Sequence, residues 1–344
     1  MRERSLCFLF FLFAMMALSS CQSSRSQSAA ESAEASLPLS ATSSMPSPVV
    51  SGREAAAAPD RVSESAPTSA LSSETPRGEP TVAPGLAPGP APTPESRPPA
   101  TVTHTSLSAS DISDLVDRYS QIAPHKWGER VAGVRTHMVT KEQVIALTFD
   151  ACGGKEGSGY DRKLIEYLIK EKIPATLFIN ARWIAANPEV FAELAANPLF
   201  EIENHGTEHR PLSVNGRLAY GIAGTKSVSE VIHEVTDNAD QIEKLTGRRP
   251  LFFRSGTAYY DDVAASIVHD LGAQLAGYNL LGDAGATYNT EQVYRALLQA
   301  KSGSIVLAHM NHPEKDTAEG VIKAIPELQK AGFHFVQLAT YLLE

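Results

Sequence analysis

Cysteine is almost missing from this 344-residue chain, which holds only Cys7, Cys21 and Cys152. Three scattered thiols supply no disulfide framework, so stability must come from a buried core, and a chain of this length can provide one. Phosphate-binding glycine loops are missing too. No G-x-G-x-x-G and no P-loop lysine motif follows any apolar run, which leaves nucleotide binding without support. There is no basic excess either: a net charge of −9 argues against a nucleic-acid partner. Aromatic residues are absent from Gln22 to Pro99, where fourteen of the 22 prolines lie among Ser and Ala. Such a composition cannot bury enough apolar surface to offset ordering and predicts disorder. A coil of ~80 residues spans ~50 Å, the reach of a tether.

What precedes the tether is a short basic start, Met1-Arg2-Glu3-Arg4, and an apolar run from Leu6 to Leu18. The run is too short for a membrane span and suits a secretory signal. It closes on Leu18-Ser19-Ser20-Cys21, small residues before a cysteine, which resembles a bacterial lipoprotein processing box. Residues 1–20 are therefore expected to be a signal peptide, Cys21 the lipid-bearing residue and 21–100 the linker. The rest of the chain then lies outside the cytoplasm, anchored to a bacterial membrane. Cys7 leaves with the signal, and Cys152 has no intrachain partner.

Structure is expected to resume with a helical lead-in over 101–139, where Ile112, Leu115, Val116 and Tyr119 have helical spacing. Trp127 in this lead-in is read first as a packing residue and second as a sugar-site lining. From Val144 onward, strand and helix patterns alternate. Strands are expected at Val144–Asp150, Ala175–Ile179, Phe200–Glu203, Leu251–Phe253, Gln274–Tyr278, Ser304–Ala308 and His334–Gln337. Seven strands with helical crossovers imply a parallel α/β sheet, most naturally closed into a barrel, with 140–344 as one domain. An open doubly wound sheet is the alternative.

Chemistry-bearing residues gather at the carboxyl ends of those strands, the rim where such folds place ligands. Asp150 ends the first run, and His205 and His209 follow the third, four residues apart. Neutral imidazoles at that spacing suit a divalent metal, zinc first and cobalt, manganese or nickel as alternatives. Arg254 ends the fourth strand and can hold a carboxylate ionised. Asp283 lies in the loop after the fifth, and His309 ends the sixth. His312 lies further into its loop and is read as solvated. The segment His205 to His209 also matches H-x-x-E-H, a zinc-peptidase pattern. That reading needs a continuous helix, which Gly206 and Pro211 disfavour.

Taken in order, Thr148-Phe149-Asp150, His205-x-x-x-His209, Phe253-Arg254 and Leu307-Ala308-His309 resemble the motifs of NodB-type polysaccharide deacetylases, carbohydrate esterase family 4. The resemblance runs from Val144 to the C-terminus. It implies a distorted seven-stranded (β/α) barrel, a divalent metal and removal of N-acetyl groups from amino sugars. It further implies Asp150 as base, His205 and His209 as metal ligands, Arg254 orienting the base and His309 as acid. Asp283 is assigned to orient His309, and backbone N–H groups near Ala258 or Tyr259 to steady the oxyanion.

The chain departs from the family pattern at Ala151, where a second aspartate usually supplies the third metal ligand. Gly206 stands where Ser or Thr usually follows the first histidine. The expectation is a two-histidine site completed by water or a weak carboxylate contact, with Cys152→Ser nearly neutral for metal content. The reading is a lipid-anchored, metal-dependent deacetylase of an acetylated polysaccharide, peptidoglycan first and a related glycan second. A non-catalytic glycan-binding lipoprotein and the metallopeptidase are the alternatives.

Overall fold

The computed structural model describes residues 108–344. The Leu6–Leu18 run, Cys21 and the linker over 22–100 lie outside the described residues. Helix α1, Ala109–Tyr119, opens on a reciprocal cap: the Ser108 hydroxyl accepts from the Asp111 amide and the Asp111 carboxylate from the Ser108 amide. Buried Leu115 packs it onto the domain, and Arg118 and Tyr119 donate to Asp270 at 2.6 and 2.9 Å.

Seven main strands follow: β1 Val144–Ala151, β2 Ala175–Ile179, β3 Phe200–Asn204, β4 Phe252–Phe253, β5 Gln274–Ala276, β6 Ser304–His309 and β7 His334–Phe335. The helices between them are α2 Arg162–Lys170, α3 Ala181–Ala186, α4 Pro188–Ala196, α5 Val228–Thr246, α6 Asp262–Asp270, α7 Thr290–Leu297 and α8 Thr317–Lys330. The order across the sheet is Leu280–Leu281, β6, β1, β2, β3, β4, β5 and Val134–Arg135, with β7 beside the start of β1. Every pairing in it is parallel. The sheet curls into a barrel-like trough, and His137, just past the last strand of that order, bridges Ser304 of β6. The distorted (β/α) barrel is thus present, with nine strands rather than seven. The two extra strands are two residues long, too short to leave a periodic trace.

β1 is buried along its whole length, but its two faces differ. Ile145, Leu147, Phe149 and Ala151 belong to the core between sheet and helices, with Leu164, Leu168, Trp183 and Ile325. Each fully buried side chain of this size contributes about 1.5–3 kcal/mol. The alternate residues face the trough, since strand side chains alternate. Val144 and Ala146 join Phe178, Phe252, Ala276 and Ile305 in an apolar floor. Thr148 and Asp150 come next on that face, and Cys152 continues it. Apolar floor and polar mouth are built by one period-2 pattern.

No helix among the described residues is long and apolar enough to cross a membrane.

Candidate active site

Asp150 sits inside the mouth, 3% exposed, and not on an open rim. Its Oδ1 accepts from Arg254 Nη1 at 2.7 Å. Arg254 is wholly buried and spends its other donors on Thr148 Oγ1 and the carbonyls of Ala276 and Gly277, at 2.9–3.1 Å. The guanidinium also lies 4.0 Å over the Phe178 ring. A guanidinium held at every nitrogen fixes the Asp150 carboxylate in place. Asp150 Oδ2 is left facing His205 Nε2 at 3.6 Å.

His205 follows β3 and is 1% exposed. Its Nδ1 lies 3.0 Å from the Arg254 carbonyl, which assigns the proton to Nδ1 and a lone pair to Nε2. Cys152 Sγ lies 3.8 Å from that Nε2. The His209 ring stands 4.9 Å from the His205 ring, nearly perpendicular, and its buried Nε2 has no hydrogen-bond partner. Donor atoms of Cys152, His205 and His209 all lie within 4.8 Å of one another. Tetrahedral zinc with two N and one S ligand wants donor separations of about 3.3–3.6 Å. Small side-chain adjustments close that gap, and the orphaned His209 nitrogen gains a partner. The residues present fit a divalent ion.

Burial pushes the Cys152 thiol up, but facing His209, with His205 and His309, brings its pKa well below the ordinary value. The pull favours the thiolate, the form that ligates metal. Ala151 could not take this part, since its side chain is fully buried in the outer core. Cys152 returns to the Asp150 side, which shifts the expectation of a water-completed two-histidine site towards a thiolate third ligand.

On the neighbouring strand, His309 of β6 is in register with Asp150 of β1. Asp283 Oδ1 lies 2.9 Å from His309 Nδ1, and its Oδ2 accepts from the His309 amide and the Thr317 hydroxyl. Burial opposes a charged imidazole, yet the Asp283 carboxylate holds the His309 pKa well above the ordinary value. His309 is therefore a held proton donor, with its Nδ1 committed to Asp283.

The remaining candidates come out differently. The Ala258 N–H donates to the Ser255 carbonyl at 2.9 Å, so it cannot serve an oxyanion. The Tyr259 N–H makes only a 3.4 Å contact with Thr257 Oγ1 and remains the available donor. Glu208 is solvent-facing and pairs with Arg210. The stretch from His205 to Pro211 is non-helical, with His209 at φ +62°, so the helix required by the peptidase reading is not there. His312 lies apart, against Glu314 at 3.2 Å.

Glu234 of α5 gave no sign of a role in the sequence. Its carboxylate accepts from the Glu208 and Arg210 amides at 2.9–3.1 Å and so pins the loop that carries His209. Gly206 makes room for it: a Cβ there would lie 2.4 Å from Glu234 Oε1. Gly256 does the same on the other side, where a Cβ would meet the His209 backbone at 2.4 Å. Burial pushes Glu234 up to about 7, against the pull of the two amides. A carboxyl raised in the fold stabilises it fully below its unfolded pKa of 4.5, and that contribution is lost as pH rises to about 7. The loss amounts to at most about 3 kcal/mol. Urea melts of wild type and Glu234→Gln across this window should show a shallower decline in the variant. Equal slopes would rule out Glu234 as the titrating group.

Residues 137–276 match the family model described as polysaccharide deacetylase. The matched span runs from just before β1 to the end of β5. Over 205 residues the chain is 26% identical to a peptidoglycan-N-acetylglucosamine deacetylase of Bacillus cereus, covering 58% of this chain and 89% of that protein. Among solved structures, Bacillus subtilis PdaA, a family 4 carbohydrate esterase, superposes with a TM-score of 0.50 at 22% identity, over 66% of this chain and 86% of that one. A solved peptidoglycan N-acetylglucosamine deacetylase gives 0.52 at 17% identity, over 61% and 92%. The structural likenesses establish the fold. In this chain a cysteine two residues after Asp150, not an aspartate one residue after it, lies in one donor cluster with the histidine pair.

Proposed function

We propose that this chain is a metal-dependent N-deacetylase of an extracytoplasmic amino-sugar polymer, with peptidoglycan the first substrate to try. The observation that carries the reading is the braced pair on neighbouring strands, Asp150 held by Arg254 and His309 held by Asp283, beside Cys152, His205 and His209. A non-catalytic glycan binder needs neither braced group.

Cys152, His205 and His209 would hold the ion, which when bound lowers the pKa of a water and polarises the acetyl carbonyl. Asp150 takes the proton of the attacking water on Oδ2, because Oδ1 is occupied by Arg254. The fixed guanidinium keeps the carboxylate from rotating away. The Tyr259 N–H, which makes only a long contact with Thr257 Oγ1, would steady the negative oxygen. His309 hands its Nε2 proton to the departing nitrogen, and Asp283 stabilises the imidazolium until then. Acetate and a free amine result.

A second arrangement shares these residues. The Cys152 thiol, His309 and Asp283 are of the residue types of a thiol–imidazole–carboxylate triad, and Asp283 already braces His309 Nδ1 at 2.9 Å. There the thiolate would attack the acetyl carbonyl, the C–N bond would break as the amine leaves with the His309 proton, and water would hydrolyse the resulting thioester to acetate.

The lipid anchor and the location outside the cytoplasm rest on Leu6–Leu18 and Cys21 alone. The deciding assay incubates the full-length protein with peptidoglycan, poly-N-acetylglucosamine and chitin fragments and measures released acetate with and without chelator. Release that chelator abolishes is the expected result. No release from any acetylated glycan would reject the deacetylase. In the same cells, Cys21→Ser should shift the protein out of the membrane fraction, and unchanged fractionation would reject the anchor.

A further inference from the structure

Three aromatic side chains from three separate segments meet beside the site. Trp127 belongs to a two-residue strand that pairs antiparallel with Tyr260–Asp261. Its ring lies 5.6 Å from that of Tyr259, and the Tyr220 ring stands 5.4 Å from Tyr259 and nearly perpendicular to it. Trp127 precedes the span matched by the family model. Tyr220 comes from a small hairpin, Leu218–Ala219 with Ile222–Ala223, that no sequence pattern announced.

Tyr220 is an expensive residue for its position. The hairpin turns on Tyr220-Gly221, both with positive φ, +52° and +77°. That turn favours Asn-Gly, and a bulky side chain there is an outlier. The ring is nevertheless 74% exposed, with exposed Leu218 beside it. An exposed tyrosine in a strained turn contributes little to the core, so its reason lies outside the fold.

The cluster is also fixed in place. Glu129 accepts from the Tyr220 hydroxyl at 3.1 Å and from the Tyr278 hydroxyl at 3.0 Å. Tyr278 is next to Gly277, whose carbonyl holds Arg254. Tyr259 lies on the loop whose Gly256 abuts His209. The platform is thus continuous with the catalytic mouth. Beside it lies an open groove of about 550 Å³, lined by Trp127, Tyr259, Glu129, Lys126 and Arg130. Pockets of about 300–1,000 Å³ hold drug-sized ligands. Arg217 approaches the Trp127 ring to 5.8 Å and adds a donor at the edge.

We propose that Trp127, Tyr220 and Tyr259 form a sugar-binding subsite that grips the glycan strand next to the residue being deacetylated. The inference rests on the deacetylase reading and names the polymer side of it. A pyranose presents flat C–H faces and a rim of hydroxyl and amide groups. Flat aromatic faces with a carboxylate and cations at their edges complement both features. The subsite makes the protein a reader of chains rather than of single sugars.

The test uses full-length protein carrying His309→Gln, to suppress turnover, titrated with a tetramer of β-1,4-linked N-acetylglucosamine and with the monomer. Trp127 fluorescence and calorimetry report binding, since the other tryptophan, Trp183, is fully buried. The tetramer should bind at least about tenfold more tightly than the monomer, and Trp127→Ala should remove about tenfold of that affinity. Tyr220→Asn should weaken tetramer binding while raising thermal stability, because Asn suits the turn. That opposition separates a ligand contact from a structural one. Leu245→Ser, an exposed apolar residue outside the cluster, is the control and should change neither. Equal affinity for tetramer and monomer, or tetramer binding indifferent to both aromatic substitutions, overturns the subsite. Acetate release from glycans together with that indifference leaves the deacetylase standing and the subsite refuted. Trp127-dependent tetramer binding in a wild type that releases no acetate has the reverse meaning.

Discussion

Asp150→Asn is expected to lower acetate release by ~10²–10⁴-fold, the usual worth of a general acid–base group. The amide keeps a hydrogen-bond acceptor for Arg254 but can no longer take a proton from water. The substitution also has a structural cost that the sequence alone did not suggest. A carboxylate on an exposed rim would be dispensable for folding, whereas Asp150 and Arg254 are 4% and 0% exposed at their side chains. Removing one partner of a buried pair leaves an uncompensated charge and costs roughly 3–5 kcal/mol. The variant should therefore be less stable as well as slower. The two effects are separated by measuring turnover well below the melting temperature, with circular dichroism and metal content checked on the same sample. His309→Gln provides the parallel case without a buried arginine to strand. If both variants, folded and metal-loaded, release acetate at near wild-type rates, Asp150 is not the base and His309 not the acid.

The parts of this site that were legible in the sequence are those written as strand endings. Val144 to Asp150 reads as a buried strand because it is apolar and β-branched on both faces. Asp150, His205, Arg254 and His309 each stand at or just past the end of a strand. What was not legible depends on distance in sequence or on exact strand length. Cys152 points with Asp150 only because β1 extends to Ala151 before the glycines turn the chain. Glu234 reaches the metal-type loop from a helix 25 residues after His209, and nothing local marks it. The two-residue strands and the Tyr220 hairpin lack the length for a periodic signal. Trp127, read first as a packing residue, proves half-exposed against Tyr259. Its partners come from residues more than ninety positions away.

Cys152→Ser is expected to weaken metal binding by more than the roughly 10–100-fold that outer-shell changes cost. A catalytic zinc normally keeps three protein ligands and one open position, and this chain offers two histidines and the thiol. A serine hydroxyl at this position is a far weaker ligand than a thiolate, since it stays protonated near neutral pH. The loss should appear as lower stoichiometry after dialysis and a larger dissociation constant. With cobalt in place of zinc, it should also appear as loss of the thiolate-to-metal charge-transfer absorption. His205→Ala and His209→Ala should lose metal as well. The same variant separates the two chemistries available to the thiol. If Cys152 only ligates, metal and turnover fall together, and excess metal restores part of the turnover. If Cys152 is the nucleophile of a thioester path, turnover disappears while metal content is retained, and the wild type yields an acetylated Cys152 on rapid quenching. Retention of both metal and turnover would exclude Cys152 from either part, and the site would revert to two histidines completed by water. The geometry favours the first outcome, because Cys152, His205 and His209 offer donor atoms within 4.8 Å of one another, and the buried His209 Nε2 has no hydrogen-bond partner.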